Sequence, residues 1–246
     1  MTVLEIVNRV LRRLREDTVS ALIETDYSRM VAEMLHDVHQ ECLEYDWSSM
    51  QHIIDVPVDA SQRVLDLTRL EASGGDIAAG GRVTKNDSYV VWDRDHRPMA
   101  WIFDDNTETE GDRLIYVQET DIEHLYQIDR DFTAEDPTYF SLRQSPDREG
   151  LSMTIWPPPA TSQHIRMRMW TPEDEIDVTA DDDTTLLVPS RPLVLGTIYL
   201  TLNERGEELG EPGNIAERRY YEARSAAIEL DMKNKGHVDT YEAVRE

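Results

Sequence analysis

Apolar residues recur at spacings of three and four near the start of the chain. Val3, Leu4, Val7, Val10, Leu11 and Leu14 predict an amphipathic helix over 3–15, opened by Thr2 and Glu5 in a T-x-x-E capping box. After "REDTVSALIETD", Thr25 or Asp26 can cap a second helix. Tyr27, Val31, Met34, Leu35, Val38, Cys42 and Tyr45 mark its apolar stripe, and Trp47 closes the hairpin. From Ser48 the period changes. "HIIDVPV", "QRVLDLT", "SYVVW", "PMAWIF" and "DRLIYVQ" are short, β-branched or aromatic runs separated by Gly, Asp, Asn or Pro, and they predict strands. "GGDIAAGGRV" is read as a loop and residues 120–129 as a short helix. "TYFSLR", "LSMTIWP" and "HIRMRMW" return to strands; "RQSPDREG" is a hairpin loop between the first two, and "PPPATSQ" joins the next pair. In "HIRMRMW", Ile165, Met167 and Met169 alternate with Arg166, Arg168 and Trp170, which predicts one buried and one wet face.

The helical period returns in "SRPLVLGTIYLTLNERGEELGEPGN". Ser190 can cap, Pro192 suits a first turn, and a helix over about 191–205 follows. Its apolar residues exceed one stripe, so more than one covering surface is expected, with the N-terminal helices offering part of it. Asn214 with Glu217 resembles a capping box for a last helix. Gly236 is its C-cap candidate, and residues 237–246 form a polar tail with Val238, Tyr241 and Val244 at spacings of three. The fold class is therefore α+β: a helical bundle formed by N- and C-terminal helices with an inserted β-rich, sandwich-like domain. The expected divisions are 1–47, a helical hairpin; 48–189, the β-rich insertion; 190–236, the C-terminal helices; and 237–246, the tail.

Charge narrows the functions. The chain of 246 residues carries 50 acidic against 25 basic residues, a formal net charge of -25. Such a chain repels nucleic-acid phosphates, which argues against a tight DNA grip while allowing a surface past which DNA slides. The single cysteine, Cys42, precludes an intrachain disulfide and fits a reducing compartment. The N-terminal stretch lacks the basic-then-apolar order of a signal peptide and no apolar run approaches a membrane span, so assembly in the cytosol is expected.

Candidate chemistry is sparse. His36, His39 and Cys42 stand three apart on one helix, a spacing that metal ligation can use. Cys42 matches the apolar stripe and no further ligand cluster is evident, so a plain helix surface is the preferred reading, with no metal. Asp104, Asp105, Glu108 and Glu110 in one loop, and Asp181, Asp182 and Asp183 in another, could serve glycosidase or calcium chemistry. With 50 acids, chance pairs are expected, and solvated loops are preferred. There is no G-x-S-x-G elbow, phosphate loop or dinucleotide fingerprint, so neither catalytic nor cofactor-binding residues are assigned. Arg166 and Arg168 on one strand face could touch a phosphate backbone or pair with acids across an interface, and the net charge favours the second.

Three segments together carry a resemblance. They are "LEIVNRVLRRLRE" followed by "YSRMVAEMLHDVHQECLEYDWSSM"; "DPTYFSLRQSPDREGLSMTIWPPPATSQHIRMRMWTPEDEI"; and "LLVPSRPLVLGTIYLTLNERGEELG". In their order and spacing they resemble head-to-tail adaptor proteins of short-tailed double-stranded DNA bacteriophages, also called tail tubular protein A or gatekeeper proteins. The resemblance covers most of the chain; residues around 70–110 and the C-terminal tail stand outside it. It implies a non-enzymatic virion protein without cofactor, one of the neighbouring copies in a ring, normally twelve-fold, between the portal protein and the tail nozzle. Genomic double-stranded DNA would pass through without specific binding, and no membrane is involved. Val238, Tyr241 and Val244 are then the candidate portal anchors, and Tyr199, Leu202, Arg166 and Arg168 the candidate inter-subunit residues. The alternatives are another tail-completion or minor virion protein, or a carbohydrate-active enzyme or glycan-binding module.

Overall fold

The computed structural model describes residues 1–67, 84–85, 87–93, 95–104, 109–130, 132–144, 150–180, 182–206 and 211–242, with side chains omitted at 104, 109, 110, 211, 212 and 236–242. The chain divides into two units, Met1–Met50 with Glu173–Glu246, and Gln51–Pro172. The first is helical and the second is β-rich, so the fold is α+β, with the β unit inserted in sequence between the helices.

In the helical unit, α1 spans Val3–Arg13 and α2 spans Asp26–Leu43. The Thr2–Glu5 capping box is formed in both directions, at 2.9 and 3.2 Å. Thr25 caps α2 in a reciprocal pair with Ser28, whose amide reaches the Thr25 hydroxyl at 2.9 Å. Helix α4 spans Ser190–Glu204 and α5 spans Glu211–Glu242. Ser190 is the first helical residue rather than the cap; Pro189 holds the cap position and makes no side-chain cap bond. Gly206 ends the helix with φ +75, and its amide donates to the Asn203 carbonyl at 2.8 Å. Two expectations for α5 are corrected. It begins at Glu211, not at Asn214, because Pro212 and Gly213 fit a first turn whose amides need no helical partner. It runs past Gly236 to Glu242, so the backbone of 237–242 continues the helix instead of forming a separate tail. At 32 residues it is about 48 Å long.

Helix α4 occupies the middle of this unit and packs on α1, α2 and α5. Pro192, Leu193, Val194, Gly196, Thr197 and Thr201 are buried, and the two threonine hydroxyls donate to the carbonyls four residues back, at 2.8 and 2.7 Å. α1, α2 and α5 thus cover part of the apolar surplus of α4, while Leu195, Ile198, Tyr199, Leu200 and Leu202 stay half-buried in the single chain.

Residues 173–189, placed with the β region from sequence, belong to the helical unit. Their backbone takes up the free amides of α1: Val3 donates to the Thr184 carbonyl at 2.9 Å and Leu4 to that of Asp182 at 3.1 Å. Ile176, Leu186 and Val188 are buried there.

The β unit holds two sheets around one core. One sheet has the order β1 (Gln51–Val58), β9 (Gln163–Trp170), β4 (Ala100–Asp104), β5 (Thr109–Arg113), with β3 (Tyr89–Val90) also on β9. The other runs β2 (Val64–Asp66), β8 (Leu151–Trp156), β7 (Tyr139–Gln144), β6 (Ile115–Tyr116), and α3 spans Glu119–Ile128. All pairs are antiparallel except β6 with β7. Ile54, Val56 and Val58 of β1, Phe140 of β7, Met153 and Ile155 of β8, and Ile165, Met167 and Met169 of β9 share the core. The alternation in "HIRMRMW" therefore holds for the aliphatic residues and Met; Trp170, on the other parity, is also buried beside a stacked Tyr89. β7 and β8 pair directly, whereas "PPPATSQ" carries the chain from one sheet to the other. The acidic stretch 104–110, expected as a loop, is partly a β4–β5 hairpin in which Asp104 pairs with Thr109 and Phe103 with Glu110. Asp105 and Glu108 lie outside the described residues, as do all residues of "GGDIAAGGRV".

Candidate interaction surface

The polar side chains flagged from sequence are mostly used to hold the fold. The Nδ1–H of His36 donates to the Ile176 carbonyl at 3.2 Å, and the fully buried His39 reaches Glu173 through Nε2 at 3.0 Å. The two histidines thus bind the 173–189 segment to α2. Cys42 is buried on the apolar side, and burial pushes its thiol up to about 11. No group of three potential metal ligands exists among the described residues. The Asp182 carboxylate accepts the Leu22 amide at 2.8 Å and so anchors the connection between α1 and α2. Asp183 is exposed, and Asp181 lies outside the described residues.

The turn "EYDW" after α2 is clamped to α5. Tyr45 donates to Asp231 at 3.1 Å, the Ser48 amide donates to the same carboxylate at 3.1 Å, and Lys235 pairs with it at 3.2 Å. Burial opposes ionisation of Asp231, yet its bonds from Ser48 and Lys235 outweigh burial and hold the carboxyl below its ordinary value. Arg224 adds a second clamp, donating to the Glu41 carboxylate and carbonyl, both at 2.8 Å.

Arg166 does not await a partner subunit. It lies directly opposite Asp55 across β1 and β9, with a bidentate pair at 2.6 and 2.9 Å, and its guanidinium covers the Phe103 ring at 3.5 Å. Arg168 is half-buried. Tyr199 is half-buried and stacks on Tyr220 of its own α5, with centroids 6.4 Å apart; Leu202 is half-buried on the same helix. Val238 and Tyr241 fall on the α5 backbone with undescribed side chains, and Val244 falls outside the described residues.

Two surface features went unread in the sequence. One is the exposed apolar surface of α5, where Tyr221 and Met232 on one side and Leu230 on the other are 47%, 58% and 60% exposed. The other is a depression of about 560 Å³ where α1, α4 and α5 meet, lined by Arg9, Arg13, Arg191 and Arg219 over Val194 and Leu195. These arginines are scattered over 211 positions of sequence (9 to 219, inclusive), so no local pattern could have grouped them. No helix is long and apolar enough to cross a membrane among the described residues. No protein-family model matches the chain, and no curated protein matches it.

Proposed function

We propose that the chain is a non-enzymatic structural subunit of a virion, the head-to-tail adaptor of a short-tailed double-stranded DNA phage. Copies would form a ring between portal and tail nozzle around the DNA path. The reading rests on the resemblance of three ordered segments. The structural observation that supports it best is the exposed apolar surface of α5, a helix of 32 residues that leaves Tyr221 and Met232 uncovered on one side and Leu230 on the other in the single chain. Large exposed apolar side chains grouped on one helix are what a subunit of an assembly presents to its partners. The net charge of -25 fits a wall past which DNA slides, since like charge discourages adhesion of the phosphate backbone.

The same charge opposes closure of a free ring, so the isolated protein is expected to associate weakly, with the portal acting as template. Mixing with portal assemblies should yield a complex of ring mass by native mass spectrometry. Indifference to portal, together with absence from virions, would reject the proposal. Removal of residues 237–246 should weaken portal binding while the fold, read by circular dichroism, persists; equal binding would exclude Val238, Tyr241 and Val244 as anchors.

A further inference from the structure

The arginine-lined depression calls for an anionic occupant. Arg9 and Arg13 stand one turn apart on α1, Arg191 lies in the first turn of α4, and Arg219 projects from α5. All four are exposed, and among the described residues none forms an ion pair; Arg9 touches the Met1 thioether at 3.7 Å. The one acid at the rim, Glu222, faces Arg218 at 3.7 Å. In a chain whose acids outnumber its bases two to one, four unpaired arginines in one place form a local positive field that the chain's own carboxylates do not quench.

A matching surface exists on the same molecule, on a helix that does not line the depression. Asp26, Glu33, Asp37 and Glu44 follow one another on α2 at spacings of seven, four and seven, so they share a face, and all are exposed. That face is opposite the buried residues Val31, Leu35 and Val38, and no α2 residue lines the depression. Asp26 and Asp37 form no ion pair among the described residues; Glu33 is paired with exposed Arg29 at 3.1 Å, and Glu44 with Arg224 at 3.3 Å. Glu33 and Asp37 repeat with the same one-turn spacing, about 6 Å, as Arg9 and Arg13.

We propose that the arginine-lined depression of one copy receives the acidic outer face of α2 of a second copy. The contact is heterologous, because two different patches meet, and such contacts propagate around a ring. This names the faces by which copies meet in the ring proposed above, but its test needs no portal.

The test is sedimentation of wild type, Arg9→Glu/Arg13→Glu and Glu33→Lys/Asp37→Lys across a wide concentration range. All four substituted positions are exposed, and unchanged circular dichroism verifies folding; Glu33→Gln/Asp37→Asn serves as a milder second variant. Wild type should associate with rising concentration. Each reversed variant alone should lose at least tenfold in association constant, and the mixture of the two should regain it, since each supplies the face the other lacks. Wild type that never associates, variants that associate like wild type, or a mixture that fails to recover would each overturn the proposal. A duplex DNA arm, read by fluorescence anisotropy, separates the other occupant: DNA binding lost in Arg9→Glu/Arg13→Glu would assign the depression to phosphates instead. A protein that self-associates through these faces but ignores portal would sink the adaptor reading alone; one that binds portal yet gives no recovery on mixing would sink this contact alone.

Discussion

Gly196 offers the most direct test of how the helical unit is built. A methyl group placed on its α-carbon would stand 2.6 Å from Val38 Cγ1 on α2, and 2.8 and 3.0 Å from Cε2 and Cδ2 of Tyr220 on α5. Carbon atoms prefer separations of about 3.5–4.0 Å, so Gly196→Ala requires α2 and α5 to yield by about 1 Å. Tyr220 is a fully buried ring and cannot swing aside cheaply. Two effects compete. Alanine is better than glycine in a helix interior by about 1 kcal/mol, whereas overpacking costs about 1–3 kcal/mol. With two partners in the way, the overpacking cost belongs at the upper end, leaving a net loss of about 2 kcal/mol. Denaturant unfolding followed by far-ultraviolet circular dichroism reads the helical unit. Val38→Ala supplies the internal control, because it removes the nearest obstructing atom. Val38→Ala should cost less in the Gly196→Ala background than in wild type, by about 1 kcal/mol of coupling. A Gly196→Ala protein stabilised by the full helix-propensity gain, with no coupling to Val38, would refute the three-helix convergence at this glycine.

Three further outcomes follow from the geometry. Asp231 is only 11% exposed, so Asp231→Asn should cost about 1.5–3 kcal/mol at neutral pH. Because its folded value lies below 3.8, that contribution is present above about pH 4 and is lost as pH falls through the folded value; wild type and variant should converge in acid unfolding, and a difference that persists at lower pH would contradict the clamp. The Cys42 thiol, pushed up to about 11 by burial, should resist alkylation at mildly alkaline pH until denaturant is added, as read by mass spectrometry of the intact chain. Arg166→Lys should destabilise the β unit by about 1–2 kcal/mol in thermal melts, since lysine replaces neither the bidentate pair nor the stack on Phe103, and self-association should be unchanged because Arg166 is engaged within its own sheet.

Local physics made much of the fold legible. The Thr2–Glu5 box, the Thr25 cap and the three-four spacing of Val31, Leu35, Val38 and Cys42 place α1 and α2, because capping and amphipathicity act within a few residues. Alternation of Ile165, Met167 and Met169 places β9 with its buried side correctly assigned, because side-chain direction in a strand has a strict period. Local signals failed where two neighbours compete for one residue. The Asn214–Glu217 box set the expected start of the last helix, yet α5 begins at Glu211, with Pro212 and Gly213 compatible with its first turn. Asp104 to Glu110 read as a solvated acidic loop, yet part of it closes a hairpin, since charge does not prevent an edge strand from pairing.

Sequence alone determined the class, the order of helices and strands, and the excess of negative charge, all of which follow from residues near one another or from simple counting. Tertiary structure alone decided what covers α4. A helix pattern reports how much surface must be buried, not which surface buries it. The three partners, α1, α2 and α5, come from both ends of the chain, and they enclose Leu193, Gly196 and Thr197 within one copy. The same distance hid the gathering of Arg9, Arg13, Arg191 and Arg219, because a charge cluster assembled from three helices exists only once those helices have packed.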